Sequence, residues 1–247
     1  MIQLPIQPKV VSEDGNKTTF EIGPLYPGYG VTMGNSLRRV LVSSIDGAAV
    51  TSIKIKGVDH EFSSVEGVVE DVIELILNLK RVRFKMFSEE PVILTLQSKG
   101  QKTITAADIQ TTADIEVVNT DQVIATVTDK KTDINMELKI EKGVGYVPVE
   151  QRQKEKLGVG SIAVDAIFTP IKSVNYRVEN IRVGQRTDYN KVLLDLETDG
   201  SISPQEALQR ASKILIDYFT IINEVEVPKS KPAKAIKVKV AKKTKKK

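Results

Sequence analysis

The stretch Gly28–Ile45, GYGVTMGNSLRRVLVSSI, limits the possible folds more than any other segment. It opens on a glycine-rich turn and continues with the periodicity of an amphipathic helix. At about 100° per residue, Met33, Leu37, Val40, Leu41 and Ser44 share one side, spaced i, i+4, i+7, i+8 and i+11. Asn35, Arg39 and Val42 fall on the other. Thr32 is placed to cap the start, its hydroxyl accepting from a free N–H of the first turn. One face therefore requires a core. The other sets a planar, bidentate donor beside an aliphatic residue, which suits a protein partner as well as water. The spacing of Gly28, Gly30 and Gly34 also resembles a dinucleotide-binding turn. That chemistry needs a buried parallel strand before the turn and a βα unit after it. Pro24 and Pro27 precede the stretch and the remaining chain reads antiparallel, so the glycines are better read as allowing positive φ and close chain approach.

Composition removes several function classes. The chain has 247 residues, 40% hydrophobic and 28% charged, ordinary for a soluble globular protein. It has no cysteine, which removes disulfides, thiolate metal sites and cysteine nucleophiles, and fits a reducing cytoplasm. The single histidine, His60, forbids an HExxH zinc site and leaves any Ser-His-Asp triad dependent on that one residue. No apolar run approaches the roughly 20 residues that span a bilayer, and MIQLPIQPKV is too short and polar for a signal peptide. The net charge of +4 misleads. Ten lysines lie in 229–247, and without them residues 1–228 carry −6. The body is acidic and does not support a global nucleic-acid surface.

In chain order, residues 1–27 read as two short strands around the turn Glu13-Asp14-Gly15-Asn16. Ala49–Val58 is a strand. Ser63–Lys80 reads as a second helix, with Val65, Val69, Val72, Ile73, Ile76 and Leu77 at helical spacing and a Ser63/Glu66 capping box. Gly67 would weaken it by about 1 kcal/mol if interior. Short strands follow at 92–97, 102–105, 115–118, 123–128 and 134–140, an antiparallel unit. Residues 143–156 form a long loop, and 161–169, 173–183 and 191–198 are strands. Ser203-Pro204-Gln205-Glu206 then supplies an N-cap, a proline at the first position and an acid at the third. The helix it starts runs to about Asn223. Ala207, Leu208, Ala211, Leu215, Tyr218, Phe219 and Ile222 form its stripe. Ile214, Ile216 and Ile221 widen that stripe past what one core needs, which points to a second subunit. After Pro228 the lysine-rich chain lacks the apolar content to order itself. No internal repeat is visible.

Each candidate site has a plainer reading. Arg38 and Arg39 fit an exposed helix face equally well. His60, between Asp59 and Glu61, fits a surface or packing histidine. Glu66, Glu70, Asp71 and Glu74 fit a solvated helix face. The tail suits polyanions or mere solubility. The residues alone imply an oligomerising, non-catalytic, two-part α+β protein.

The motifs together resemble those of a known family. GYGVTMGNSLRRVLVSSIDGAAVTSIKIKGVDHEFSSVEGVVEDVIELILNLK, TAADI at 105–109, GVGYVPV at 143–149, VDAIFTPI at 164–171 and VNYRVENIRVGQRTDYNKVLLDLETDGSISPQEAL at 174–208 are similar, in register, to the α subunits of bacterial-type RNA polymerase over about residues 5–225. The resemblance implies an α+β fold. It has a discontinuous dimerisation subdomain at 1–48 and 171–228, a sheet with two long helices, and a β-rich insert at 49–170, with 229–247 a disordered tail. It implies a homodimeric scaffold for the β and β′ subunits, with ω and a sigma factor in the holoenzyme. The chain itself would be non-catalytic and cofactor-free, with Mg held in β′. By resemblance Arg39, with Arg38 and Val42, is tied to β, and Lys80 and Val164 to β′. Leu37, Leu41, Leu208, Leu215, Phe219 and Ile222 are tied to dimerisation. The expected location is the cytoplasm, or the stroma if plastid-encoded, with no membrane association and with DNA contact through the tail. Two departures stand out. The family's usual C-terminal DNA-binding domain has no counterpart after Pro228, and Val144 replaces a basic residue often found in the GxGYVP loop. The rival readings are an autonomous nucleic-acid binder acting through its tail, and a nucleotide-binding enzyme using Gly28–Gly34.

Overall fold

The computed structural model of the protein describes residues 4–152, 158 and 160–225. The lysine-rich tail and the run 153–157 lie outside the described residues. The chain opens with β1 (Lys9–Asp14) and β2 (Lys17–Leu25), then α1 (Tyr29–Ser44) and β3 (Asp46–Ile55). It continues through α2 (Val72–Leu79), β4 (Phe84–Met86), β5 (Val92–Lys99), β6 (Lys102–Thr105), β7 (Ile109–Gln110), β8 (Ile115–Val117), β9 (Val123–Val127) and β10 (Asp133–Val144). β11 (Tyr146–Val147), the single turn α3 (Val149–Arg152), β12 (Ser161–Ala163) and β13 (Ala166–Ile167) follow. The chain then returns through β14 (Ile171–Val183), β15 (Arg186–Thr198) and α4 (Pro204–Asn223). The fold is α+β, as the sequence implies.

Two large hydrophobic cores, with a small third around Phe168, hold the described residues. The first lies between the antiparallel sheet β1-β2-β15-β14 and the helices α1 and α4. Strand alternation explains why the sheet has one apolar face. Phe20 and Ile22 point inward with Val192, Leu194 and Leu196, where they meet Leu37, Leu41, Ala207, Leu208 and Ala211. The outward residues form a charged ladder. Asp195 accepts from Thr19 at 2.7 Å and faces Arg177 at 3.6 Å, and Lys191 reaches Glu21 and Glu179 at 3.3 and 3.1 Å. The second core fills the β-rich part. There β10 lies between β3 and β5, α2 covers β9, and Leu75, Leu79, Phe84, Leu94, Leu96, Met136 and Leu138 are buried together.

Several sequence expectations are corrected. The first helix begins at Tyr29, with Gly28 as its N-cap at φ +86°, so Thr32 lies in its first turn and caps nothing. The glycine takes a left-handed conformation that side chains resist, and this turns the chain a full turn early. The second helix is only α2. Residues 63–71 form a looped segment instead, because Gly67 sits in a turn at φ +78°, Ser64 bridges Asp71 and Val68 bridges Val127. The true N-cap is Asp71, whose carboxylate accepts from Glu74 N at 2.7 Å, whereas the Ser63 hydroxyl donates to the His60 carbonyl. β10 runs on through Val144 into what reads as loop. The segment 161–169 divides into β12, paired with β3, and β13, paired with β11.

Candidate functional site

Three surfaces carry the candidate residues. The first is the outer side of α1. Its underside is fixed by close contact. A Cβ on Gly30 would lie 2.6 Å from Val178 Cγ1, and one on Gly34 would lie 2.5 Å from the Tyr176 ring. Leu37 and Leu41 continue that buried face. These contacts set the rotation of the helix and turn Arg38, Arg39 and Val42 outward, all exposed. Arg38 donates to Asn35 Oδ1 at 3.1 Å. Arg39 has no ion pair among the described residues, and its carbonyl accepts from Ser43 Oγ at 2.8 Å. At the end of α1, Thr169 Oγ1 donates to the Val42 carbonyl at 3.4 Å, and exposed Val144 and Tyr146 flank Gly145 beside Ser43. The glycine face is filled by protein side chains and leaves no phosphate cradle, so the nucleotide reading has no geometric support.

The second surface is an open groove of about 650 Å³ that brings Lys80 and Val164 together, lined also by Phe62, Ile73, Leu77 and Asp165. Lys80 Nζ lies 3.4 Å from Asp165 Oδ2. Asp165 Oδ1 accepts from Val149 N at 3.0 Å. The Val149 N–H holds the Asp165 carboxyl below the usual carboxylate range, helped by Lys80 and the Tyr146 hydroxyl and opposed by partial burial. Val164 is only 2% exposed, so its side chain offers a partner almost nothing. Its backbone is the anchored part. Its N–H donates to Thr51 O at 2.9 Å, and its carbonyl accepts from the Arg152 guanidinium. Arg152 also donates to Thr51 O at 3.3 Å and lies 3.7 Å from Glu141. Sequence reasoning missed Arg152 and Asp165. Each sits among ordinary polar residues, and only the folded chain shows what they hold.

The apolar stripe read over Ser63–Lys80 divides in two. Val72 enters the core and Val65 and Ile76 pack against it, while Val69, Ile73 and Leu77 face solvent, and the other buried side chains of α2, Leu75 and Leu79, lie outside that stripe. The acids on this segment are not merely solvated. Glu70 accepts from Thr126 N at 2.7 Å and Thr126 Oγ1 at 3.0 Å, which ties the looped segment to β9. His60 is exposed and belongs to the groove rim.

The third surface is the far half of α4. Ile216, Tyr218, Phe219, Ile221 and Ile222 are each at least 61% exposed. Leu215 is half-buried. Leu37, Leu41 and Leu208 are already buried in the chain's own core and have little area left for a second copy. Among the described residues no helix is long and apolar enough to cross a membrane, and no cluster of three or more His, Asp or Glu could hold a metal ion.

Residues 53–169 match the family described as RNA polymerase Rpb3/RpoA insert domain. The chain is also similar to curated proteins named DNA-directed RNA polymerase subunit alpha. It is 49% identical to that of Moorella thermoacetica over 87% of this chain and 69% of the relative. It is 50% identical to that of Flavobacterium psychrophilum over 84% and 64%. It is 46% identical to that of Symbiobacterium thermophilum over 92% and 74%.

Proposed function

The chain belongs to the α-subunit family of DNA-directed RNA polymerase, the non-catalytic assembly subunit of that complex, and we propose that it works as a homodimeric scaffold on which the β and β′ subunits assemble. The observation that carries this reading is the exposed apolar end of α4. Five large side chains in water at one helix end are unfavourable by roughly 1.5–3 kcal/mol each relative to burial. A second copy of the same helix covers them through an isologous contact, in which each chain offers the same patch. Phe219 and Ile222 lie at the seam, with Leu215 at its inner edge, while Leu37, Leu41 and Leu208 support it from within the protomer.

On this reading Arg39 receives the β subunit, with Val42 one turn on along the same side and Arg38 beside it. A guanidinium with no ion-pair partner among the described residues is placed to make bidentate bonds to a carboxylate. The groove at Lys80 receives β′. Here the half-buried Lys80 offers its ammonium at the groove wall, and Val164 acts through its anchored backbone. The subunit needs no cofactor, and the metal chemistry of nucleotidyl transfer belongs to the large subunits. The wider complex, with ω, a sigma factor and DNA, follows from the same membership, as does a cytoplasmic location. Capture of recombinant β by the immobilised full chain tests the central step. Arg39→Ala is expected to remain dimeric yet fail to hold β, and normal capture would reject the role given to Arg39.

A further inference from the structure

The first helix begins without a local cap. A helix N-terminus leaves its first N–H groups unpaired, and a side chain at the N-cap usually accepts from one of them. Here the N-cap is Gly28, which has no side chain, and the first turn carries no acid. The acceptor comes from β15 instead. Asn190 Oδ1 accepts from Gly28 N at 2.9 Å and from Gly30 N at 3.4 Å. Two backbone donors at one end of the carboxamide leave no doubt that its oxygen faces the helix. Its Nδ2 donates to Asn180 Oδ1 at 3.0 Å, directly across the β14–β15 ladder. Asn190 is buried, and a Cβ on Gly30 would sit 3.0 Å from its own Cβ, so the helix end rests directly on it. A second contact closes the same corner. Arg186 makes a bidentate pair with Asp188 at 3.0 and 2.7 Å, and its guanidinium lies 5.6 Å from the Tyr26 ring centroid and 5.4 Å from that of Tyr189. Tyr26 in turn meets Tyr29, the first residue of α1, edge-on at 6.2 Å.

We infer that Asn190 is a positioning residue for subunit assembly. It is a cap supplied from a distant strand, and it fixes where α1 starts and so where Arg39 and Val42 stand. The inference rests on the reading of the outer face of α1 as the β-binding surface. Arg39 lies eleven residues beyond Gly28, about 16 Å along the axis. When the cap is lost, Gly28 and Gly30 lose their acceptor, and the glycine face lifts from Val178 and Tyr176. Rotation of the helix then carries Arg39 away from its partner without removing any group that touches that partner.

The test uses the full chain and recombinant β. Asn190→Ala is expected to weaken β capture about tenfold, the scale of a lost cap, while sedimentation still shows a dimer. Asn190→Asp keeps an acceptor, adds negative charge at the positive helix end, and lets the Asn180 amide rotate to donate; it is expected to restore capture. A merely structural role would not separate these two variants at equal thermal stability. Unchanged capture by Asn190→Ala, or failure of Asn190→Asp to restore it, overturns the inference. If Asn190→Ala does not fold, amide exchange in the unaltered chain decides. The Gly28 and Gly30 amides are expected to be protected, and exchange at the unstructured rate overturns the cap. Arg39→Ala run in parallel separates the two claims. Normal capture by that variant removes the β-binding reading and the positioning role together, while the exchange result still reports on the cap alone.

Discussion

α1 and α4 lie over the same sheet, yet they are completed in opposite ways. α1 is finished inside its own chain. Glycines bring it against β14, a strand residue caps it, and the exposed side carries the arginine pair and Val42, with Tyr29 and Val31 exposed near its start. α4 contacts the sheet through Ala207, Leu208 and Ala211 and then runs on as an apolar rod in solvent. The difference teaches what each helix is suited for. A helix end with a broad apolar surface gains from bulk burial and depends little on salt. A lone guanidinium on a settled helix contributes direction and selectivity. The seam between copies should therefore be hydrophobic, and the capture of a large subunit polar.

The largest expected effect breaks the apolar side of this contrast. Phe219→Glu places a charge in the middle of the α4 patch and is expected to weaken dimerisation at least about a hundredfold, on the hot-spot scale. Sedimentation at micromolar concentration would then show a monomer, and raising the salt would not restore the dimer. A variant that remains dimeric would show that α4's exposed end is not the seam. The next effect is on α1. Arg39→Ala should leave the dimer intact and weaken β capture roughly a hundredfold. Arg39→Lys should recover only part of that, because an ammonium cannot make the bidentate contact. Full recovery by lysine would reduce Arg39 to a point charge.

How much of this was legible in the sequence follows the same division. α4 was fully legible because its start is local: Ser203, Pro204 and Glu206 stand in one run, and Ser203 Oγ does accept from Glu206 N at 3.2 Å. The strands were legible from alternation. The start of α1 was not, because its acceptor, Asn190, lies more than a hundred and fifty positions away. The second helix was overextended because valines at 65, 68 and 69 fit helical spacing as well as a looped segment pinned by Glu70 to β9. Only the conformation of Gly67 separates the two, and a sequence does not display φ. Among the candidate residues, Arg39 is exposed as a contact requires, and Lys80 is half-buried in its groove. Val164 is buried in the link between β12 and β13, and a linking residue has no alternation from which its burial could be read.

A third prediction tests how tightly α1 is seated. In a free helix, Gly34→Ala would gain about 1 kcal/mol of helix propensity. Here the new Cβ would meet the Tyr176 ring at 2.5 Å, too close for any ordinary contact. Overpacking of this kind costs about 1–3 kcal/mol, so the variant is expected to be less stable in urea by up to about 2 kcal/mol despite the better helix former. The same change at Gly28 would report backbone conformation rather than contact, since nothing lies within 4 Å there. A more stable Gly34→Ala chain would show that α1 stands farther from the sheet than the structure has it.

The smallest effect separates the two caps. Ser203→Ala removes the side chain that accepts at the start of α4 and is expected to cost about 1 kcal/mol. Thr32→Ala touches a residue that matches a cap by type but lies inside the first turn of α1. Alanine is the better helix former there, so stability should be unchanged or higher by up to about 0.5 kcal/mol. Urea midpoints of the two variants, compared at equal m-value, check the pair. If Thr32→Ala lost as much as Ser203→Ala, the threonine would be the working cap of α1. The two helices would then begin by the same local rule, and the contrast between a helix started by its own sequence and one started by a distant strand would disappear.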